Sequence, residues 1–147
     1  MAHSTILLLT ELSILLKRTF IGVKELFPLI CEKLKENNEM MKKDILICLD
    51  NIISYNNYLG DYIDFVENLI EDESIYLKLG LCEFLYKGIH KTYINTLKLF
   101  SFEIVELSCR LTEDMNEEVQ DFAIKCVAIL KVRLGNNFSE KSINFIN

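Results

Sequence analysis

Few side chains of this chain have the spacing that catalysis or metal binding requires. There are two histidines, His3 and His90, and no Gly-rich phosphate loop or G-x-S-x-G motif. The carboxylate pair Asp61 and Asp64 has no histidine or lysine arranged beside it, so nothing in the sequence proposes a general base. We therefore predict a protein that is not an enzyme and that uses no cofactor.

The cysteines do not have the spacing of metal ligands. None of them forms a C-x-x-C pair, and each falls inside an apolar pattern of helical spacing. Such residues are most simply small buried apolar side chains in a reducing cytoplasm. The five cysteines are Cys31, Cys48, Cys82, Cys109 and Cys126.

The composition predicts an all-helical domain and argues against two kinds of partner. Half of the 147 residues are hydrophobic, with one proline and five glycines, and no segment alternates in the way of a strand. The net charge is −6, whereas nucleic acids and anionic membranes attract basic surfaces. We expect neither a nucleic acid nor a membrane as a partner.

An internal repeat is the most informative feature of the sequence. Three stretches, KENNEMMKKDILICLDNI, IEDESIYLKLGLCEFLYKGI and LTEDMNEEVQDFAIKCVAIL, each begin with an acidic or amide-rich loop and open into an apolar helical pattern. Aligning Glu36, Asp72 and Asp114 gives steps of 36 and 42 residues. These steps are close to the period of HEAT-type arrays, whose stacked helix pairs form binding surfaces. The same alignment superposes Met41, Leu77 and Val119, then Ile45, Leu81 and Ala123, then Cys48, Phe84 and Cys126.

Apolar periodicity and breakers predict one unpaired helix followed by three helix pairs, an all-α solenoid of HEAT-like pairs over residues 1–137. Pro28 predicts that its helix begins near Phe27 or bends there. Residues 90–96 are predicted to form a connector, with or without a helical turn. Gly135 is predicted to end the last helix, and residues 138–147 to form a tail or short helix. The predicted helices are Ser4–Thr19, Val23–Glu36, Met40–Ser54, Asp61–Ile70, Ile75–Ile89, Leu97–Leu111 and Glu117–Leu134.

The predicted N-terminal helix is apolar on more than one face. Residues 6–16 are too few to span a bilayer and lack the basic start of a signal peptide. The helix has the pattern of the second half of a repeat whose first half is missing. It is either an unusual cap or a surface for a further repeat segment or subunit, and a fragment of a longer protein would have the same pattern.

Two segments make the resemblance more specific than a generic array. Phe27–Glu36 has the pattern apolar-Pro-x-apolar-x-Glu-Lys-apolar-Lys-Glu, and residues 113–135 have an Asp/Asn loop, Glu-Val-Gln and a helix ending near glycine. The chain resembles the C-terminal half of a TOG domain, the tubulin-binding HEAT-repeat array of the microtubule polymerase and CLASP families. The resemblance covers about Leu12 to Gly135.

The resemblance implies a non-enzymatic module that engages tubulin or microtubules through the turns within its helix pairs. It implies a role in microtubule dynamics or spindle organisation, and a location in the cytoplasm at microtubules, the spindle or its poles. Carried over by position, the contact residues are Asn37, Asn38, Met40, Lys42, Lys43, Glu73, Ser74, Lys78, Met115, Asn116 and Gln120.

The charges near the predicted contact residues determine whether an acidic partner is attracted. Tubulin is acidic, so an acidic binder must direct local lysines at it, and Lys42, Lys43 and Lys78 lie in the first turns of two neighbouring predicted helices. The alternative is that these three side chains are ordinary solvated lysines with no role in binding. Gln120 replaces the family's arginine, and the chain has no tryptophan, which the family's first repeat often presents as an anchor. We therefore expect weak binding to tubulin.

A HEAT-like scaffold for a different protein, such as a transport or signalling adaptor, is the alternative. It predicts a partner groove on the inner-helix face instead of contacts along the turns. A TOG domain is a flat paddle, whereas adaptor arrays curve into a superhelix.

Overall fold

The computed structural model of the chain describes residues 23–55 and 59–135, with side chains from residue 27 onward except at 52–55. Every regular element in this part of the chain is helical, which confirms the predicted all-α class. The predicted helix Ser4–Thr19 and the tail 138–147 lie outside the described residues.

Two of the predicted helices, Met40–Ser54 and Glu117–Leu134, agree with the structure to within one residue at both ends. Two short 3-10 turns, Lys33–Glu36 and Leu59–Tyr62, lie in the connections that precede α2 and α3. The α-helices of the described residues are α1 (Val23–Glu32), α2 (Glu39–Tyr55), α3 (Ile63–Leu69), α4 (Ile75–Lys91), α5 (Ile94–Leu99), α6 (Ser101–Thr112) and α7 (Glu117–Leu134).

Helix α1 begins at Val23, as predicted, and includes Pro28 as its sixth residue. Of the two outcomes predicted at Pro28, a start near Phe27 is therefore excluded. A proline removes one hydrogen bond, and burial of Phe27 and Cys31 on the same helix compensates for that loss. The helix predicted over Asp61–Ile70 begins two residues later, because Asp61 lies inside the 3-10 turn before α3. The N-cap of α3 is Tyr62, whose side chain makes no capping hydrogen bond.

The long helix predicted over Leu97–Leu111 is divided in two. The backbone leaves helical geometry at Phe100, with φ −123° and ψ 27°, so α5 ends and α6 begins there. Phe100 is 7% exposed, so its side chain is buried in the core although the backbone is not helical at this residue. Phe102, two residues further on, is 46% exposed.

The helices pack in three consecutive pairs. Helix α1 contacts α2, α3 contacts α4, and α6 contacts α7. The second helices of the pairs also contact one another in the order α2, α4, α7, and the first helices do so in the order α1, α3, α6. The short α5 packs on α7.

One core runs through these pairs, and the aligned repeat positions lie in it. The second and third sets of superposed residues are buried throughout, and in the first set Met41 is half-buried while Leu77 and Val119 are buried. Phe27 of α1 contacts rings from the next pair, at 4.9 Å from Tyr62 and 5.3 Å from Phe84, measured between centroids. The repeat therefore marks the residues that hold neighbouring pairs together.

Two glycines allow α4 to approach its neighbours closely. A Cβ atom on Gly80 would lie 2.8 Å from Cδ1 and 2.9 Å from Cδ2 of Leu34. A Cβ atom on Gly88 would lie 3.0 Å from both Cδ atoms of Leu59. Leu34 and Leu59 are themselves buried, so a larger residue on α4 would force core side chains to move.

Candidate functional site

The turns inside the three helix pairs are built alike. Each places a polar side chain directly before the second helix, where its oxygen accepts an N–H of the first turn. Asn38 Oδ1 accepts from Met41 N at 3.0 Å. Ser74 Oγ accepts from Leu77 N at 3.3 Å, and Asn116 Oδ1 accepts from Val119 N at 3.1 Å. Asn38, Ser74 and Asn116 recur at the 36- and 42-residue steps of the repeat.

Ion pairs connect the three turns to one another. Lys35 Nζ, before the first turn, lies 2.6 Å from an Asp72 oxygen in the second turn. Lys78 Nζ, after the second turn, lies 2.8 Å from an Asp114 oxygen in the third. Arg110 Nη2 also reaches back to Glu71, at 2.6 Å. We call residues 32–43, 71–78 and 110–121 the turn edge.

The two aspartates of these ion pairs also order their own turns. Asp72 accepts from Ser74 N at 2.8 Å, and Asp114 accepts from Asn116 N at 2.9 Å. The hydrogen bond from Lys35, with that of the Ser74 N–H, lowers the pKa of Asp72 below its ordinary 3.8. Partial burial alone would raise the pKa of Asp114, but the bonds from Lys78 and the Asn116 N–H outweigh it and lower that pKa.

Several of the predicted contact residues present their side chains to solvent on the turn edge. Met40 is 74% exposed and Met115 is 99% exposed. Asn37 is exposed and adopts a left-handed backbone with φ 49°, which an asparagine tolerates better than most residues. Glu73 and Lys43 are also exposed.

The other two predicted lysines have partners within the fold. Lys78 has a side chain that is 17% exposed, and its ion pair with Asp114 joins the second and third turns. Lys42 is half-buried and lies 3.4 Å from Glu83 of α4. Lys43 is therefore the predicted lysine that remains available to an acidic partner.

Gln120 has a role inside the third turn. Its Nε2 donates to the backbone carbonyl of Asp114, and the side chain is half-buried. Asn38, Ser74 and Asn116 likewise use a side-chain oxygen in capping. The positions transferred from the TOG pattern thus include residues that shape the edge and residues that face outward.

Charge changes steadily along the turn edge. Residues 32–43 contain four basic and three acidic side chains, residues 71–78 one and three, and residues 110–121 one and five. The formal charges of the three turns are therefore about +1, −2 and −4. An acidic partner is attracted by the first turn and repelled by the third.

Lys35, Glu71 and Arg110 are turn-edge residues that sequence reasoning missed. Lys35 to Asp72 spans 37 residues and Glu71 to Arg110 spans 39, both close to the repeat period. A search for opposite charges one period apart in the aligned loops would have found them.

The cysteine side chains lie in the core. All five are buried, as predicted, and none of them forms a disulfide. Burial raises the pKa of Cys82 to about 12 and raises the pKa values of Cys31, Cys109 and Cys126 as well. These four thiols therefore stay protonated at neutral pH.

Neither a metal cluster nor a membrane span occurs in the part of the chain that the structure describes. Residues 23–55 and 59–135 contain no group of three or more His, Cys, Asp or Glu side chains that could hold a metal ion. None of the described helices is long and apolar enough to cross a membrane.

Comparison with protein-family models, with curated proteins and with solved structures finds no match to this chain. The resemblance to TOG domains therefore rests on the residues of this sequence, and the function that it implies is a proposal.

Proposed function

We propose that this chain is a HEAT-like α-solenoid of TOG type, a non-enzymatic module that engages tubulin through its turn edge. The observation that carries the proposal is the joining of three equivalent turns by Lys35–Asp72, Lys78–Asp114 and Arg110–Glu71. The outward-facing side chains of all three turns can then contact the same partner.

The packing order supports the solenoid. The first helices contact one another in sequence, as do the second helices, as expected for stacked helix pairs. Each pair then adds one turn to the same edge. At the opposite ends of the helices, Lys91 Nζ lies 2.5 Å from an Asp50 oxygen, and Arg133 donates to the Ile89 and Thr92 carbonyls.

The first turn has the chemistry that an acidic protein requires. It carries the exposed Lys43, the exposed Met40 and the amides of Asn37 and Asn38. A lysine gives attraction at long range, and a methionine gives apolar contact that adapts to the partner's shape. We therefore place the centre of the tubulin contact at the first turn and not at the acidic third turn.

Co-sedimentation of the chain with microtubules at low salt tests the proposal. Part of the chain should pellet, and that fraction should fall as salt rises, because exposed charges are screened beyond about 10 Å at about 0.1 M salt. If neither this chain nor a fusion of it to the first half of a TOG domain pelleted, tubulin would be ruled out as the partner.

A scaffold for a different protein is the second candidate, and the third turn favours it. That turn exposes Met115 amid Glu113, Glu117 and Glu118. A partner with basic side chains would fit this part of the edge better than tubulin does. Binding that Met115→Glu abolishes and Lys43→Glu leaves unchanged would favour this candidate.

A further inference from the structure

Helix α7 has an exposed face that its position in the fold does not explain. Its buried side, which includes Val119, Ala123, Cys126 and Leu130, packs on α4 and α6. The opposite side carries Ile124, 55% exposed, and Val132, 82% exposed, with exposed Ala128 between them. Exposed apolar side chains that form one stripe often mark a surface for interaction with another protein.

The charges on this exposed face are separated along the helix. Glu117, Glu118 and Asp121 lie in its first part, and Lys125 and Lys131 lie further on. Two such helices aligned in parallel would bring the acidic ends together, which is unfavourable. Two antiparallel helices instead place the acidic end of one against the basic end of the other, around the apolar middle.

We propose that the exposed face of α7 is a self-complementary interface through which two copies of this chain form an antiparallel, twofold-symmetric dimer. With the axis near the level of residue 126, Asp121 faces Lys131 of the second copy, and Ile124 faces its Ala128. The small Ala128 side chain lets the two helices approach closely where they cross. The interface shares Asp121 with the turn edge, but the proposal does not rest on the function proposed for that edge.

The size of the face sets the expected strength of the dimer. An 18-residue helix is about 27 Å long, so a single helix pair buries less than the roughly 1,200 Å² of a stable interface. So small an area indicates a weak dimer, and a dissociation constant of about 10–100 µM is the range that we propose to test. Sedimentation of the full chain from about 1 µM to about 300 µM should show its mass rising from 17.1 kDa towards twice that value.

Two matched variants identify the face. Ile124→Lys should leave the chain monomeric over the same range, because it places a charge at the apolar centre. Ile47→Lys is the control, since Ile47 of α2 is 54% exposed and undergoes the same change on another face. Circular dichroism checks that both variants keep their helical content. Dimerisation lost in Ile47→Lys and kept in Ile124→Lys would overturn the proposal.

A charge exchange tests the antiparallel register. Asp121→Lys and Lys131→Asp should each weaken the dimer by about threefold or more, and the double variant should recover most of that loss. Additive losses in the double variant would contradict the register. A wild-type chain that stays monomeric throughout would overturn the proposal itself, whether another segment of the chain covers the face or it remains bare.

Discussion

At the scale of single residues, the ion pairs of the turn edge differ in how far water reaches them. The side chains of Lys78 and Asp114 are 17% and 14% exposed, whereas Glu71, paired with Arg110, is 71% exposed. A pair withdrawn from solvent loses more when one partner is neutralised, because the remaining charge stays poorly hydrated. The Lys78–Asp114 pair should therefore fix the second and third turns in place.

Asp114→Asn should lower the free energy of unfolding at neutral pH by about 1–3 kcal/mol. Lys78 loses its charged partner, while the amide oxygen introduced at position 114 can still accept from the Asn116 N–H. Glu71→Gln is the matched control on the same edge, with an expected loss below about 1 kcal/mol. Urea unfolding followed by circular dichroism measures both. Equal losses would show that burial does not distinguish the two pairs.

The lowered pKa values of Asp72 and Asp114 predict a loss of stability in acid. Each carboxyl has an ordinary pKa of 3.8 in the unfolded chain and a lower one in the folded chain. Their contribution is therefore complete above about pH 5 and disappears as the pH falls through the folded-state values. Below about pH 5, the free energy of unfolding should fall less steeply for Asp114→Asn than for the wild type. Identical slopes would contradict the ion-pair assignment.

At the scale of helices, local signals that agree with packing could be predicted from the sequence. Helix α7 begins at Glu117 and ends at Leu134 as expected, because Asn116 caps it and Gly135, with φ 52°, ends it. The division at Phe100 could not be predicted, since the apolar periodicity continues across it. The 3-10 turn before α3 was missed because Asp61 has a capping residue's identity without its geometry.

The close packing of α4 makes a prediction at the same scale. Gly80→Val would place a branched side chain where a single Cβ atom already lies 2.8 Å from Leu34. We expect it to lower the free energy of unfolding by about 1–3 kcal/mol through overpacking. Lys87→Val is the control on the exposed side of the same helix and should cost less than about 1 kcal/mol. Equal stability of the two variants would show that Leu34 moves aside freely.

At the scale of the whole molecule, the repeat in the sequence corresponds to a repeat in space. The aligned loops share capped turns, and ion pairs about one period apart hold those turns to one edge. The loops and the helices that follow them could be predicted because loop composition and apolar spacing are local signals, whereas a common edge was implied only by the resemblance to TOG domains. It did not predict which lysines remain exposed, because the partners of Lys42 and Lys78 are 41 and 36 residues away in the chain.

The unequal charges of the three turns matter most for function. An edge of uniform charge would attract or repel a partner along its whole length, whereas this edge changes from about +1 at the first turn to about −4 at the third. Binding of an acidic protein should therefore depend on the exposed residues of the first turn. Lys78, which is half-buried and paired with Asp114, should affect such binding only through folding.

The most direct test of a tubulin contact centred on the first turn is to measure microtubule binding by Lys43→Glu, with Lys98→Glu as the control. Lys98 is an exposed lysine of α5, away from the turn edge, so both variants change the net charge equally. In co-sedimentation at low salt, Lys43→Glu should weaken microtubule binding by about fivefold or more, and Lys98→Glu by less than about twofold. Equal effects of the two variants, or binding that neither of them changes, would contradict a tubulin contact centred on the first turn.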